Sequence, residues 1–170
     1  ANTSFVHKNA SHIKRQKSIE DYVSLLSNLF HGDSTVLLID GLYDISIIQE
    51  AERAAESGRT VLLSWNAATL GSAFLELSQK GVPYPRFQKS ITLAIETHSM
   101  NRVFQECIEP AVPTGYHGKG CATCSHTGKN GSMGIFKIEL HNHSPKLLLS
   151  LEDDIRKKVD LGFITHKDAL

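Results

Sequence analysis

Val36-Leu37-Leu38-Ile39-Asp40-Gly41 and Thr60-Val61-Leu62-Leu63-Ser64-Trp65 are the two stretches that decide the fold. Each is a short aliphatic or β-branched run with no polar alternation, the composition of a strand buried on both faces of a parallel sheet. Between them, Ile45 to Ser57 has helical spacing and ends at Gly58, where a left-handed cap belongs. A further helix over Ala67 to Lys80 stops at Gly81. Strand, helix, strand, helix in that order predicts an α/β fold with a mainly parallel sheet.

Upstream, Ser18 and Asp21 are set as a capping box for an amphipathic helix carrying Val23, Leu25, Leu26, Leu29 and Phe30. Residues 1–17 are polar and read as a lead-in loop, and their basic cluster Lys14, Arg15 and Lys17 reads as solvated. Downstream, Pro83 and Pro85 mark a loop before a predicted helix over Arg86 to Thr97. An edge strand is expected over Asn101 to Gln105, a second strand over Gly134 to Leu140, and a helical tail over Ser150 to Leu170. That tail breaks at Gly162 and restarts at a capping box of Thr165 and Asp168. The expected organisation is therefore lead-in 1–17, α/β core 18–105, cysteine excursion 106–137 and C-terminal strand and tail 138–170.

The 170 residues are 41% hydrophobic and 21% charged with zero formal net charge, ordinary for a globular chain and without a general pull toward nucleic acid or anionic lipid. No apolar run approaches the roughly 20 residues of a membrane span. The Ala1 end has no signal-peptide pattern, so the expected compartment is the cytoplasm. There three cysteines point to a metal or redox site before a structural disulfide. Cys121 and Cys124, on a glycine-studded turn that leads straight into a strand, have the spacing of a zinc knuckle. Among the nine histidines, His141 and His143 share a strand face and read as an exposed strand end. Trp65 reads as core.

The segment Gly120-Cys121-Ala122-Thr123-Cys124 through Thr127-Gly128, Gly131 and Gly134-Ile135-Phe136 closely resembles the metal-binding segment of the ATPases that drive type II secretion and type IV pilus assembly. Other stretches are similar to the same family. Val36 to Asp44 resembles its Walker B strand, Gly58 to Asn66 its histidine-box strand, Gly81-Val82 and Asn101-Arg102-Val103 two short elements, and Cys107-Ile108-Glu109-Pro110 the close of its first cysteine pair. Ser150-Leu151 through Gly162-Phe163-Ile164-Thr165 is similar to the family's C-terminal close.

The resemblance implies the C-terminal half of a RecA-like ATPase domain. Such a domain is a cytoplasmic motor subunit working as a homo-hexamer, peripheral at the inner membrane on secretion or pilus platform proteins. It also implies a zinc site, for which Cys107, Cys121 and Cys124 remain. His117 is the preferred fourth donor and His126 the alternative, closing a structural site with no catalytic role for the metal. A site that has lost its metal and a redox pair are the competing readings.

The departures from the family are chemical. No P-loop occurs in this chain, so ATP and magnesium could be held only where an upstream P-loop completes the site. The Walker B carboxylate position is Gly41, with Asp40 one residue away, which on a strand is the opposite face. Asp44 matches the family's next aspartate but suits a helix N-cap. Tyr43 stands for an arginine and Asn66 for the histidine-box histidine. Asp40, Asp44 and Asn66 are thus weak catalytic candidates, and the implied centre is degenerate. Two other classes are open at this stage: a non-catalytic structural or regulatory relative, and a zinc-stabilised nucleic-acid-binding module.

Overall fold

The computed structural model describes residues 18–30, 36–40, 44–110, 116–141 and 144–169. The lead-in with its basic cluster, His31, Gly41, Tyr43 and His143 lie outside the described residues. The fold is mixed α/β, and the chain divides into two compact units. One comprises the described residues up to Ala67 with Leu75–Pro83, the other Ala68–Phe74 with the described residues from Tyr84 onward.

The first unit is built on a β-α-β crossover. Helix α1 (Ile19–Phe30) precedes strand β1 (Val36–Ile39), helix α2 (Ile45–Glu56) and strand β2 (Thr60–Leu63). β1 and β2 pair in parallel from Val36 opposite Thr60 to Ile39 opposite Leu63. Local chemistry marks each boundary. The Ser18 hydroxyl accepts from the Asp21 amide at 3.1 Å, and the Asp44 carboxylate accepts from the Ser46 amide at 2.9 Å. Gly58 then ends α2 with φ of +88°, a conformation L side chains rarely adopt.

Ile39, Ile47, Leu26 and Ala51 form the core of this unit, with Val23, Leu29, Val61 and Leu63 packed against it. Among the described residues the cover lies on one face of the strand pair, and Val36, Leu38 and Leu62 on the other are more than half exposed, where strands buried on both faces are predicted.

Helix α3 (Leu70–Gln79) begins at a reciprocal cap, in which the Thr69 amide donates to Ser72 Oγ and the Ser72 amide to Thr69 Oγ1. Near its end, the indole of half-buried Trp65 donates to Glu76 at 3.1 Å, and Lys80 bridges to Glu76 at 3.3 Å. The indole bond, above all, holds the Glu76 carboxyl below its ordinary pKa.

The second unit corrects the expected sheet. Among the described residues, parallel pairing is confined to β1 and β2, and every other ladder is antiparallel. After helix α4 (Tyr84–Ser90), strand β3 (Leu93–Val103) enters where a helix to Thr97 is predicted. Over its first four residues the inward positions are small or polar, Ala94 and Glu96, while Leu93 and Ile95 are about half exposed. Pairing with a distant strand, not local apolar spacing, determines its state.

That partner is β6 (Lys129–Leu140), running from Leu93 opposite Leu140 to Asn101 opposite Ser132, with a register shift before Val103. Strand β7 (Lys146–Leu149) completes the order β3-β6-β7, and β4 (Ile108–Pro110) with β5 (Tyr116–Gly118) forms a separate small ladder.

Helix α5 (Leu151–Asp160) covers the sheet, capped by Ser150 and ended at Gly162 with φ of +73°. Its Asp154 is buried and accepts from the Phe136 amide at 2.9 Å. Lys158 bonds to Asp154 and donates to the Gly134 carbonyl at 2.8 Å. Ile135, Val159 and Ile164 make the core, lined by Met100, Leu151, Ile155 and Ala169. The Thr165 and Asp168 cap forms, with the Asp168 amide donating to Thr165 Oγ1 at 3.0 Å, yet a turn follows it and not the helix restart the sequence predicts. No helix among the described residues is long and apolar enough to cross a membrane.

Candidate metal centre

Cys107 lies at the end of a single 3-10 turn just before β4, while Cys121 and Cys124 lie on the turn between β5 and β6. The β4-β5 ladder closes that loop, pairing Ile108 with Gly118 and Glu109 with His117. A backbone bond from the Lys119 amide to the Cys107 carbonyl at 2.9 Å then brings the lone cysteine to the pair. The Cys124 sulfur lies 3.9 Å from that of Cys107 and 3.7 Å from that of Cys121. All three sulfurs lie within 4.8 Å of one another, and all three residues are half-buried.

The turn itself is a tight left-handed knuckle. The His126 amide bonds to the Cys121 carbonyl at 2.8 Å, and both Ser125 and His126 adopt positive φ, at 52° and 61°. Glycine is required where the backbones meet: a Cβ on Gly118 would stand 2.1 Å from the Gly128 carbonyl oxygen. The result is a pair of amides aimed at one sulfur. Cys121 donates to Cys124 Sγ at 3.2 Å and Gly128 at 3.3 Å. These amides, led by that of Cys121, favour the anion and lower the Cys124 thiol to about 6, so at neutral pH it is a thiolate, the form that binds metal. Cys107 is pushed the other way, first by removal from water.

The donor set fits a tetrahedral thiophilic ion. Zn–S bonds of about 2.3 Å require sulfurs about 3.8 Å apart along a tetrahedral edge. The two separations from Cys124, 3.7 and 3.9 Å, match that edge, and the third pair lies within 4.8 Å. Among the described residues, neither predicted histidine belongs to the group. His117 is an exposed residue of β5, and exposed His126 sits in the left-handed turn.

The weak catalytic candidates lie at the C-terminal ends of the parallel strands. Asp40 is exposed and accepts a short hydrogen bond from Ser64 Oγ, while the Ser64 amide bonds to the Ile39 carbonyl at 3.0 Å. Asp44 is held below its ordinary pKa, chiefly by the hydrogen bonds from Ser46. Asn66 is exposed. Both carboxylates thus have structural work, one latching two strand ends and the other capping α2.

One polar cluster escapes sequence reasoning. Glu96-Thr97-His98 on β3 and Glu139-Leu140-His141 on β6 place two Glu-x-His pairs on one face of the sheet, since Ala94 faces Glu139 and Glu96 faces Lys137 across the ladder. Glu96 meets His98 at 2.7 Å and accepts from the Leu70 amide at 2.9 Å; Glu139 meets His141 at 3.2 Å and Lys137 at 2.7 Å. His141, expected at an exposed strand end, is 3% exposed, and its Nδ1 has no partner among the described residues. The shared i, i+2 spacing was the available signal.

No protein-family model matches this chain, and comparison with curated proteins also gives no match.

Proposed function

We propose that this chain is the C-terminal region of a subunit related to the type II secretion and type IV pilus assembly ATPases, one that keeps the scaffold but not the hydrolytic chemistry. The observation that carries the reading is the sulfur cluster. Three thiols within 4.8 Å of one another, Cys121 and Cys124 on a glycine knuckle and Cys107 brought to them from the turn before β4, occupy the positions at which the sequence resembles that family's metal segment. The parallel β1-β2 pair and its bare outer face, with Val36, Leu38 and Leu62 exposed, also suit a fragment of a wider parallel sheet.

In this reading Cys107, Cys121 and Cys124 hold a zinc ion, which supplies a structural cross-link. The amides of Cys121 and Gly128 stabilise the Cys124 thiolate before binding. The Lys119–Cys107 backbone bond fixes the loop entry. On the nucleotide side, Asp40 and Asp44 hold Ser64 and the α2 N-terminus, with no lysine cradle for phosphates. ATP with magnesium belongs to this reading only where a longer chain contributes a P-loop. A hexameric ring on the cytoplasmic face of an inner-membrane platform is the corresponding assembly.

Two measurements on the full gene product test it. Elemental analysis should give about one zinc ion per chain, and MgATP turnover should not rise above a protein-free control. Robust turnover refutes the non-catalytic reading, and a reduced protein that takes up no zinc removes the metal from it.

A further inference from the structure

We infer that Cys121 and Cys124 form a reversible redox pair, which a peroxide closes to a disulfide, taking both sulfurs away from the metal. The inference rests on the metal reading above and names what empties that site. Cys121 Sγ and Cys124 Sγ are 3.7 Å apart, and neither residue is in a disulfide. A disulfide holds its sulfurs at about 2.05 Å, so a side-chain approach of roughly 2 Å separates the two states.

The third thiol does not compete on equal terms. Cys107 Sγ lies 3.9 Å from Cys124 Sγ, a comparable distance, but Cys107 is seventeen residues away along the chain. It reaches the pair through the β4-β5 ladder and the bond from the Lys119 amide to its carbonyl at 2.9 Å. Cys121 and Cys124 are three residues apart and cannot part by more than about 11 Å even where the chain is fully extended. Whenever the excursion loosens, the short tether keeps the pair together and lets Cys107 go.

One peroxide balances the electrons. One sulfur of the pair attacks a peroxide oxygen, the O–O bond breaks, and that sulfur becomes a sulfenic acid while the other oxygen leaves as water. The second sulfur then attacks the first, the S–O bond breaks, and the hydroxyl leaves as a second water. Each sulfur has given up one electron and the peroxide has gained two. The two protons come from the thiols, or from solvent where metal binding has already removed them. Half-burial leaves the sulfurs open to an oxidant of this size. In a reducing compartment such a bond is transient and sensing, because other thiols reopen it.

Differential alkylation tests this with no reference to activity. The reduced full chain, with and without added zinc, is treated with hydrogen peroxide; peptide mass spectrometry then reads the state of each cysteine, and a chromogenic chelator reports zinc in solution. Cys121 and Cys124 should lose their thiol label together, Cys107 should keep it, and dithiothreitol should restore all three. Zinc should leave in step with the disulfide, about one ion per bond formed. A disulfide that includes Cys107, a bond to a second molecule, or cysteines in either sample that stay thiols or pass to sulfinic acid without pairing overturns the inference. Zinc that stays on a chain whose disulfide has formed overturns it as well. A reduced protein that takes up no zinc but closes the Cys121–Cys124 bond refutes the metal reading and sustains the redox pair, a separate outcome.

Discussion

The two units solve the same problem with opposite means. In the first, an aliphatic parallel pair is covered on one side by Leu26, Ile47 and Ala51 and stays bare on the other, where Val36, Leu38 and Leu62 face outward. In the second, an antiparallel sheet buries Ile135 under Val159 and Ile164, and its polar residues, Glu96 and His141 included, are drawn into bonds. Beside that sheet, the knuckle has glycines and thiols where a core would be. The contrast teaches that apolar burial defines the first unit, while the excursion of the second gathers three thiols that could hold a metal ion.

The sharpest way to break that comparison is to remove the metal proposed for the sulfur cluster. Chelation, or Cys124→Ser, should abolish hydrogen-exchange protection at the amides of Cys121, His126 and Gly128, because structural zinc in small modules contributes about 10–16 kcal/mol of apparent binding energy. Protection at Ile48 in α2, whose amide bonds to the Asp44 carbonyl at 3.2 Å, should not change. Equal loss at both places would mean that the two regions do not differ as argued.

A smaller effect is expected from the cores. Ile47 and Ile135 are both fully buried, so Ile47→Ala and Ile135→Ala should each cost about 2–5 kcal/mol through lost contacts and a residual cavity. Each loss should be read by exchange in its own unit, Ile47→Ala in α2 and Ile135→Ala in β6. A cost under about 1 kcal/mol for either would show that the site collapses around the gap.

What could be read in the sequence follows the same line. Val36–Ile39 and Thr60–Leu63 were legible because an aliphatic run between a helix and its cap leaves few alternatives, and Ser18, Asp44 and Gly58 act within a residue or two of where they stand. Cys121 and Cys124 were legible because their spacing is local. β3 was not, since Ala94 and Glu96 face inward and Leu93 and Ile95 outward, an inversion set by pairing with β6. β7 hid for a related reason: Leu147 and Leu148 are both more than half exposed, so their apolarity marks no core. The breadth of the parallel sheet was overread because two strands of parallel-sheet composition say nothing about how many neighbours they have. The surroundings of the metal site depend on where β5 and the left-handed turn put two histidines, which spacing along the chain does not encode.

The smallest expected effect compares the two acid-sensitive anchors, Asp44 in the first unit and Asp168 in the second. Asp44 is held below its ordinary pKa by the hydrogen bonds from Ser46. Burial alone would raise Asp168, but the bonds from Lys129, at 2.6 Å, and Thr165 outweigh it and leave that carboxyl lowered too. A carboxyl lowered on folding contributes stability that is fully present above its unfolded pKa, near 4, and is lost as pH falls through the lower folded value. Both anchors should therefore hold at pH 6 and weaken below about pH 4. Substitution separates them. Asp44→Ala should cost about 0.5–2 kcal/mol at neutral pH, while Asp44→Asn, itself a good N-cap, should cost little and remove that residue's acid sensitivity. Asp168→Asn should instead lose the charge that binds Lys129, so its cost should appear at neutral pH and shrink with added salt. Acid unfolding followed by exchange at Ile48 and at Val103, whose amide bonds to the Phe163 carbonyl at 2.8 Å, reads the two separately. If Asp44→Asn lowers stability as far as Asp44→Ala does, the carboxylate charge itself holds α2, and the first unit relies on electrostatics as much as the second.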